Sequence, residues 1–192
     1  MSYFIVENII ESKQSFIVDG EEAIHLLKSR RIEVGEYIEV QDPKFKRYRV
    51  RVDELSKRSL TVFPIEEVSP PKESEFKIHL CQALVKEKAL DFILQKSTEL
   101  GVASILIFQS KNSQGLKKDV KKQLTRWTKI CWEACKQSGR VKPPEILFFK
   151  DIKSLSDDLK SNRSETSISL ETSDQKMSLK EFNPLSKQIN LL

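Results

Sequence analysis

Three groups of basic side chains are the residues best placed by type and spacing to do chemistry. Arg47, Arg49 and Arg51 alternate with Tyr48, Val50 and Val52, so an extended strand puts the arginines on one face and the apolar residues toward a core. Lys28, Arg30 and Arg31 cluster just after His25, while Lys86 and Arg140 stand beside long amphipathic runs. The chemistry these types support is the holding of anionic oxygens, by a guanidinium fork or an ammonium point charge. Three like charges on one strand face repel unless something anionic lies across them. An ordinary solvated face is the alternative, and the neighbouring strands tip the reading toward RNA.

Other chemistries find less support. His25 and His79 are the only histidines, and no residue presents itself as a sole general base, so the catalytic residue stays unassigned. Cys81, Cys131 and Cys135 do not form an even, regularly spaced set, which argues against a disulfide framework. Cys131 and Cys135 sit one helical turn apart, but buried thiols acting as small hydrophobes fit better than a zinc site, and no metal is expected. Net charge is +5, unevenly spread. Residues 1–75 carry 12 basic and 15 acidic residues, whereas residues 76–145 carry 14 and 6. That block suggests a polyanionic partner, and charge alone leaves a solvated basic helix face equally open.

The elements that must position these residues can be read from periodicity. Short strands are expected at Tyr3–Val6, Ser15–Val18, Tyr37–Gln41, Tyr48–Val52 and Leu60–Ile65, with a short helix at Glu22–Leu27. Their turn signals, Asp19-Gly20, Val34-Gly35 and Asp42-Pro43, have the spacing of a small barrel. Ser69-Pro70-Pro71-Lys72 reads as a stiff linker, dividing the chain into domains 1–69 and 70–192. Beyond it strand and helix alternate: strand Phe76–Leu84, helix Lys86–Leu100, strand Ser104–Gln109, then a helix from about Lys117 to Ser138. That helix buries Val120, Leu124, Trp127, Ile130 or Cys131, and Ala134, with Lys118, Lys121, Lys122, Lys129 and Lys136 mostly outside. Glu145–Phe149, Thr166–Leu170 and Gln188–Leu192 are further strands, and Asp151 caps a helix carrying Ile152, Leu155 and Leu159. Such alternation implies an α/β domain with a mainly parallel sheet. No apolar run reaches bilayer length and no leader is visible, so a cytoplasmic location with no membrane partner is expected.

The same residues carry a resemblance. Lys86, Gln95, Lys96, Glu99, Leu100, Gly101 and Val102 resemble the Gln-Lys-x-x-Glu-Leu-Gly-Val fingerprint of the RsmE-type small-subunit rRNA (uracil-N3)-methyltransferases, of the SPOUT (trefoil-knot) class. Arg126, Trp127, Ile130, Glu133, Ala134, Gln137, Arg140, Pro144, Glu145 and Ile146 match a second family segment in order and spacing. Near the N-terminus, His25 to Arg31 and Gly35 follow a third, with Ser29 and Arg30 replacing two apolar positions.

The resemblance implies a PUA-like N-terminal barrel that holds rRNA, followed by a SPOUT domain. It implies S-adenosyl-L-methionine as cofactor, a homodimer, and methylation of N3 of a uridine in 16S rRNA within the small ribosomal subunit. It adds RNA contacts at Arg31, Lys86 and Arg140 to those read from the residues themselves at Arg30, Arg47, Arg49 and Arg51, and implies a cofactor loop at Leu170, Glu171 and Thr172. The family's later Gly-Pro-Glu-Gly-Gly and Leu-Arg-x-Glu-Thr-Ala loops have no counterpart in this sequence. The SPOUT domain is therefore expected to be incomplete at its C-terminus and inactive alone. A non-catalytic RNA-binding remnant is the second expectation, and an unrelated α/β interaction protein the third.

Overall fold

The computed structural model describes residues 3–11, 13–113, 115, 119–162, 166–168 and 187–191 of the 192-residue chain. The chain divides into two compact units, Met1–Pro71 with Lys136–Val141, and Lys72–Cys135 with Lys142–Leu192. The sequence places a boundary beside the proline pair, but it gives no sign that 136–141 belongs with the first unit.

The first unit is built on β1 (Phe4–Ile5), β2 (Phe16–Val18), β3 (Tyr37–Gln41), β4 (Arg47–Leu55) and β5 (Leu60–Val68), in the order β1-β3-β4-β5-β2. All neighbours are antiparallel except β1 and β3. Among the described residues β1 and β2 stand at the ends of the strand order, so the sheet is a half-barrel; the turn spacing suggested a small barrel. Val40, Val50, Val52 and Val62 are wholly buried on its inner face, and α1 (Gly20–His25) adds Ala23. α1 continues into a π-helical turn, Leu26–Arg30, that closes at Arg31 in a left-handed conformation (φ +53). Pro64 sits opposite Val50, next to a register shift between Arg49 and Val50. A residue without an amide hydrogen is tolerated in a strand at such an irregularity.

The second unit is an all-parallel sheet among the described strands, ordered β8-β7-β6-β10-β9. Its strands are β6 (Lys77–Ala83), β7 (Ser104–Phe108), β8 (Glu145–Phe149), β9 (Thr166–Ile168) and β10 (Gln188–Leu191). α2 (Glu87–Leu100) and α3 (Val120–Ser138) cover one face, where Leu90, Leu94, Ile105, Ile107, Trp127 and Cys131 form the core. α4 (Ile152–Asn162) covers the other face, packing Leu155 and Leu159 on Cys81 and Leu106. Gly101 ends α2 at φ +86, its amide reaching the carbonyls of Ser97 and Thr98, as the left-handed cap requires. The buried stripe of α3 is Gln123, Trp127, Cys131, Ala134 and Cys135. It is rotated from the expected stripe, leaving Val120 exposed and Ile130 half-buried. The thiols of Cys131 and Cys135 lie inside that stripe, unpaired with each other, and burial pushes the Cys131 thiol up from its ordinary value.

One row of side chains interrupts the apolar sheet. Ser167, Asn190, His79 and Ser104 are register partners across β9, β10, β6 and β7. Nδ1 of His79 shares a hydrogen bond with Ser104 Oγ at 2.7 Å, and Asn190 Nδ2 donates to Ser167 Oγ at 3.1 Å. Asn190 is fully buried, and its Oδ1 has no hydrogen-bond partner among the described residues.

Candidate cofactor edge and nucleic-acid interface

In an open parallel sheet, ligands settle beyond the carboxyl ends of the strands, where the direction of winding reverses. Here the chain runs outward from β6 through β7 to β8, crosses to the opposite edge at β9, and returns to place β10 beside β6. The reversal lies between β6 and β10. At that point β6 ends at Ala83, and Leu84-Val85-Lys86 lead straight into α2. The Leu84 amide donates to the Phe108 carbonyl at 2.7 Å, and Ser113 Oγ donates to the Leu84 carbonyl at 2.8 Å. The Ser110 amide donates to Ser113 Oγ at 3.0 Å, so the loops after β6 and β7 are tied together.

Lys86 is exposed in an extended conformation (ψ 142°) directly before α2, and its carbonyl accepts the Leu90 amide. After β8, Asp151 caps α4: its Oδ1 accepts the Ser154 amide at 2.7 Å, which holds the carboxyl below its ordinary range. Leu170, Glu171 and Thr172, the expected cofactor loop, lie outside the described residues, as does Lys118.

The arginines of β4 do not share one environment. Arg49 and Arg51 are exposed, but each has a carboxylate of its own, Glu66 at 3.3 Å and Asp53 at 2.7 Å. Those anions relieve the repulsion that an external partner was invoked to relieve. Arg47 departs altogether from the expected exposed face: it is 3% exposed. Its guanidinium lies over the Tyr3 ring, 3.9 Å from the centroid, and Nη2 donates to the carbonyls of Gly139 at 3.1 Å and Arg140 at 3.4 Å. The Tyr3 hydroxyl donates to the same Arg140 carbonyl at 2.6 Å, and Gln41 Nε2 donates to the Val141 carbonyl at 2.8 Å. Tyr3, Gln41 and Arg47 thus clasp the backbone of 139–141 inside the first unit. Gly139 stands at φ +77, and a side chain there would begin 4.0 Å from Arg47 Nη1. Alternation identified the face of Arg47 but not the segment that covers it.

Arg140, whose backbone the clasp fixes, is itself half-buried. Arg30 is exposed with its guanidinium 5.9 Å from the Phe4 ring centroid, and Arg31 is exposed at the left-handed close of the π turn. In the second unit, Lys121, Lys122 and Lys129 lie on the outer face of α3, as expected. Arg126 is engaged with Asp91 and, at 3.2 Å, with Glu87 on α2. Glu99 accepts Gln95 Nε2 at 3.0 Å and Lys96 Nζ at 2.8 Å, and Lys96 holds its carboxyl below the ordinary range. The family-like Gln-Lys-x-x-Glu segment therefore braces α2 from within. Trp127 is 2% exposed, a core residue. The described residues contain no cluster of His, Cys, Asp and Glu that could hold a metal ion.

Comparison with known proteins bears on this arrangement. Residues 72–192 match the family model of the RNA methyltransferase domain. The chain belongs to the RNA methyltransferase domain family. Its relatives include ribosomal RNA small subunit methyltransferase E of Bacillus subtilis, 31% identical over 149 residues, which cover 76% of this chain and 58% of that protein. The same-named protein of Mesomycoplasma hyopneumoniae is 33% identical over 146 residues, covering 74% and 62%. The chain thus spans roughly three-fifths of the length of these relatives. Among solved structures, ribosomal RNA small subunit methyltransferase E from Neisseria gonorrhoeae, bound to S-adenosyl methionine, superposes with a TM-score of 0.80. It is 25% identical, and the match covers 100% of this chain and 80% of that one. Among the described residues of this RNA methyltransferase family member, no helix is long and apolar enough to cross a membrane.

Proposed function

We propose that this chain serves the methylation of N3 of a uridine in 16S rRNA of the small ribosomal subunit, with S-adenosyl-L-methionine as methyl donor. The observation that carries the reading is the reversal point of the parallel sheet, with Lys86 beside it, inside the segment that matches the family model. The relatives' names and the cofactor in the Neisseria structure support the substrate class and the donor.

The residues at that edge suit such a ligand. Leu84 is buried and Val85 exposed, giving an apolar shelf, and the serine-braced loops set the backbone of the edge in place. A nucleoside is held mainly by backbone groups and apolar walls, which is what this edge offers. The cofactor, when bound, supplies an electrophilic methyl group on a cationic sulfur. Uracil N3 must give up its proton to be methylated, and the ring then carries negative charge. We assign Lys86 the stabilising of that charge, or of the phosphate beside it. Leu170, Glu171 and Thr172 are assigned to the cofactor loop on the family motif. Arg30, Arg31, Arg49, Arg51 and Arg140 are assigned to the rRNA backbone. Arg47 is not carried forward as an RNA contact, because it is buried and its Nη2 is held by the carbonyls of Gly139 and Arg140. The first unit as a PUA-like RNA-holding module, the trefoil knot, the homodimer and a cytoplasmic location complete the proposal.

The experiment is transfer of labelled methyl from S-adenosyl-L-methionine to small subunits, with the modified base mapped. Label at uridine N3 supports the reading; label on another base or position redirects it. Salt-dependent rRNA binding with no transfer favours the second reading, a non-catalytic RNA-binding protein, whose support is that most assigned contacts are basic side chains rather than cofactor groups.

A further inference from the structure

The turn between β3 and β4 carries a feature that the reading above does not use. Residues 42–46 are Asp-Pro-Lys-Phe-Lys. Asp42 is buried, and its Oδ1 accepts the amides of Lys44 and Lys46, each at 2.9 Å. The backbone closes twice more, the Phe45 amide donating to the Asp42 carbonyl and the Asp42 amide to the Lys46 carbonyl, both at 2.9 Å. Together these bonds force Phe45 to φ +62. Glycine or asparagine takes that conformation at little cost; a bulky residue there is a genuine outlier. The ring is not drawn into the core in return. It is 44% exposed and stands outside the hydrophobic core of its unit.

The base of the hairpin is as firmly held as its tip. Gln41 and Arg47, the residues flanking the turn, both bind carbonyls of 139–141. Lys46 is drawn to Glu67 at 3.4 Å, an exposed pair. Lys44 is exposed and forms no ion pair among the described residues. The turn therefore presents a rigid aromatic ring with one uncommitted cation beside it. Strain kept at an exposed aromatic is where a recognition role is to be sought.

We propose that Phe45 is a stacking finger for an unpaired base of RNA, with Lys44 meeting an adjoining phosphate. Any base offers a π face, so an aromatic fixed in advance binds single-stranded RNA at little ordering cost, and duplex RNA withholds that face. The inference rests on the RNA-binding reading of the protein and adds to it a base contact on the first unit.

The test uses the whole chain and two probes, a labelled single-stranded fragment of 16S rRNA and the same fragment annealed to its complement. Phe45→Asn is expected to weaken binding of the single strand about five- to a hundredfold, to leave duplex binding unchanged, and to keep or raise Tm. Phe45→Trp is expected to retain the affinity. Equal single-strand affinity for wild type and Phe45→Asn overturns the finger while leaving RNA binding intact. A Tm lower by several degrees in Phe45→Asn also overturns it, because the ring would then be a packing residue. Wild type that binds neither probe removes the RNA reading itself, and the finger with it.

Discussion

The two sheets bury polar side chains in opposite ways. In the first, the Tyr3 hydroxyl, Gln41 Nε2 and Arg47 Nη2 are buried and donate to the carbonyls of 139–141, although Arg47 Nε has no hydrogen-bond partner among the described residues. In the second, buried Ser104, His79 and Asn190 and exposed Ser167 form a row along the sheet in two hydrogen-bonded pairs, His79–Ser104 and Asn190–Ser167, and Asn190 Oδ1 has no partner among the described residues. A charge placed under carbonyls from a distant segment fastens that segment down, and its loss leaves acceptors stranded. A hydrogen-bonded polar pair inside a sheet can be replaced by apolar groups of the same shape at little cost. Buried polarity is thus expected to hold the structure together in the first unit and to be dispensable for stability in the second.

Substitutions can break or sharpen that contrast. The largest effect is expected from Trp127→Ala, which empties the core between α2, α3 and the sheet; about 3–5 kcal/mol should be lost in denaturant unfolding. Arg47→Met comes next, at about 2–4 kcal/mol, because the carbonyls of Gly139 and Arg140 lose their charged donor. If Arg47→Met is as mild as a surface change, the first half of the comparison fails. Asn190→Leu is expected to fall within about 1 kcal/mol of wild type, since it gives up the bond to Ser167 while its Oδ1 has no partner to lose among the described residues. A loss as large as that of Arg47→Met would show that the row also fastens something down.

A smaller, pH-dependent effect belongs to α4. The folded pKa of Asp151 is depressed by the Ser154 amide, so the cap is fully present above the ordinary carboxylate range. It is lost as pH falls through the folded value. Amide exchange at Leu155 should quicken on acidification below about pH 4 in wild type, and Asp151→Ala should remove that dependence. Smallest in stability, Arg49→Ala should leave the unfolding midpoint unresolved from wild type, because its pair with Glu66 is solvent-exposed on both sides.

Much of this molecule could be read from sequence where the signals are local. Periodicity and turn residues located Tyr37–Gln41 and Glu145–Phe149 to the residue, and Gly101 marked the end of α2. What escaped needed knowledge of distant neighbours. Period two gave Arg47 its face, but burial came from a segment more than ninety residues away in sequence. The polar row needed the register of four strands, of which two follow the crossover to the far edge of the sheet. The buried stripe of α3 includes Gln123, a residue that no hydrophobicity pattern selects. For the candidate site, motif positions singled out Lys86 and Arg140, whereas the exposed, strained Phe45 had no sequence signal beyond the Asp-Pro of its turn.

The most direct test of the central claim, that the basic faces of this chain hold ribosomal RNA, is the salt dependence of its binding to 16S rRNA. The account predicts that log K falls linearly and steeply with log salt, and that Arg140→Ala lowers the slope by about one. Weak binding that ignores salt, or a slope unchanged by Arg140→Ala and Arg49→Ala alike, would contradict it.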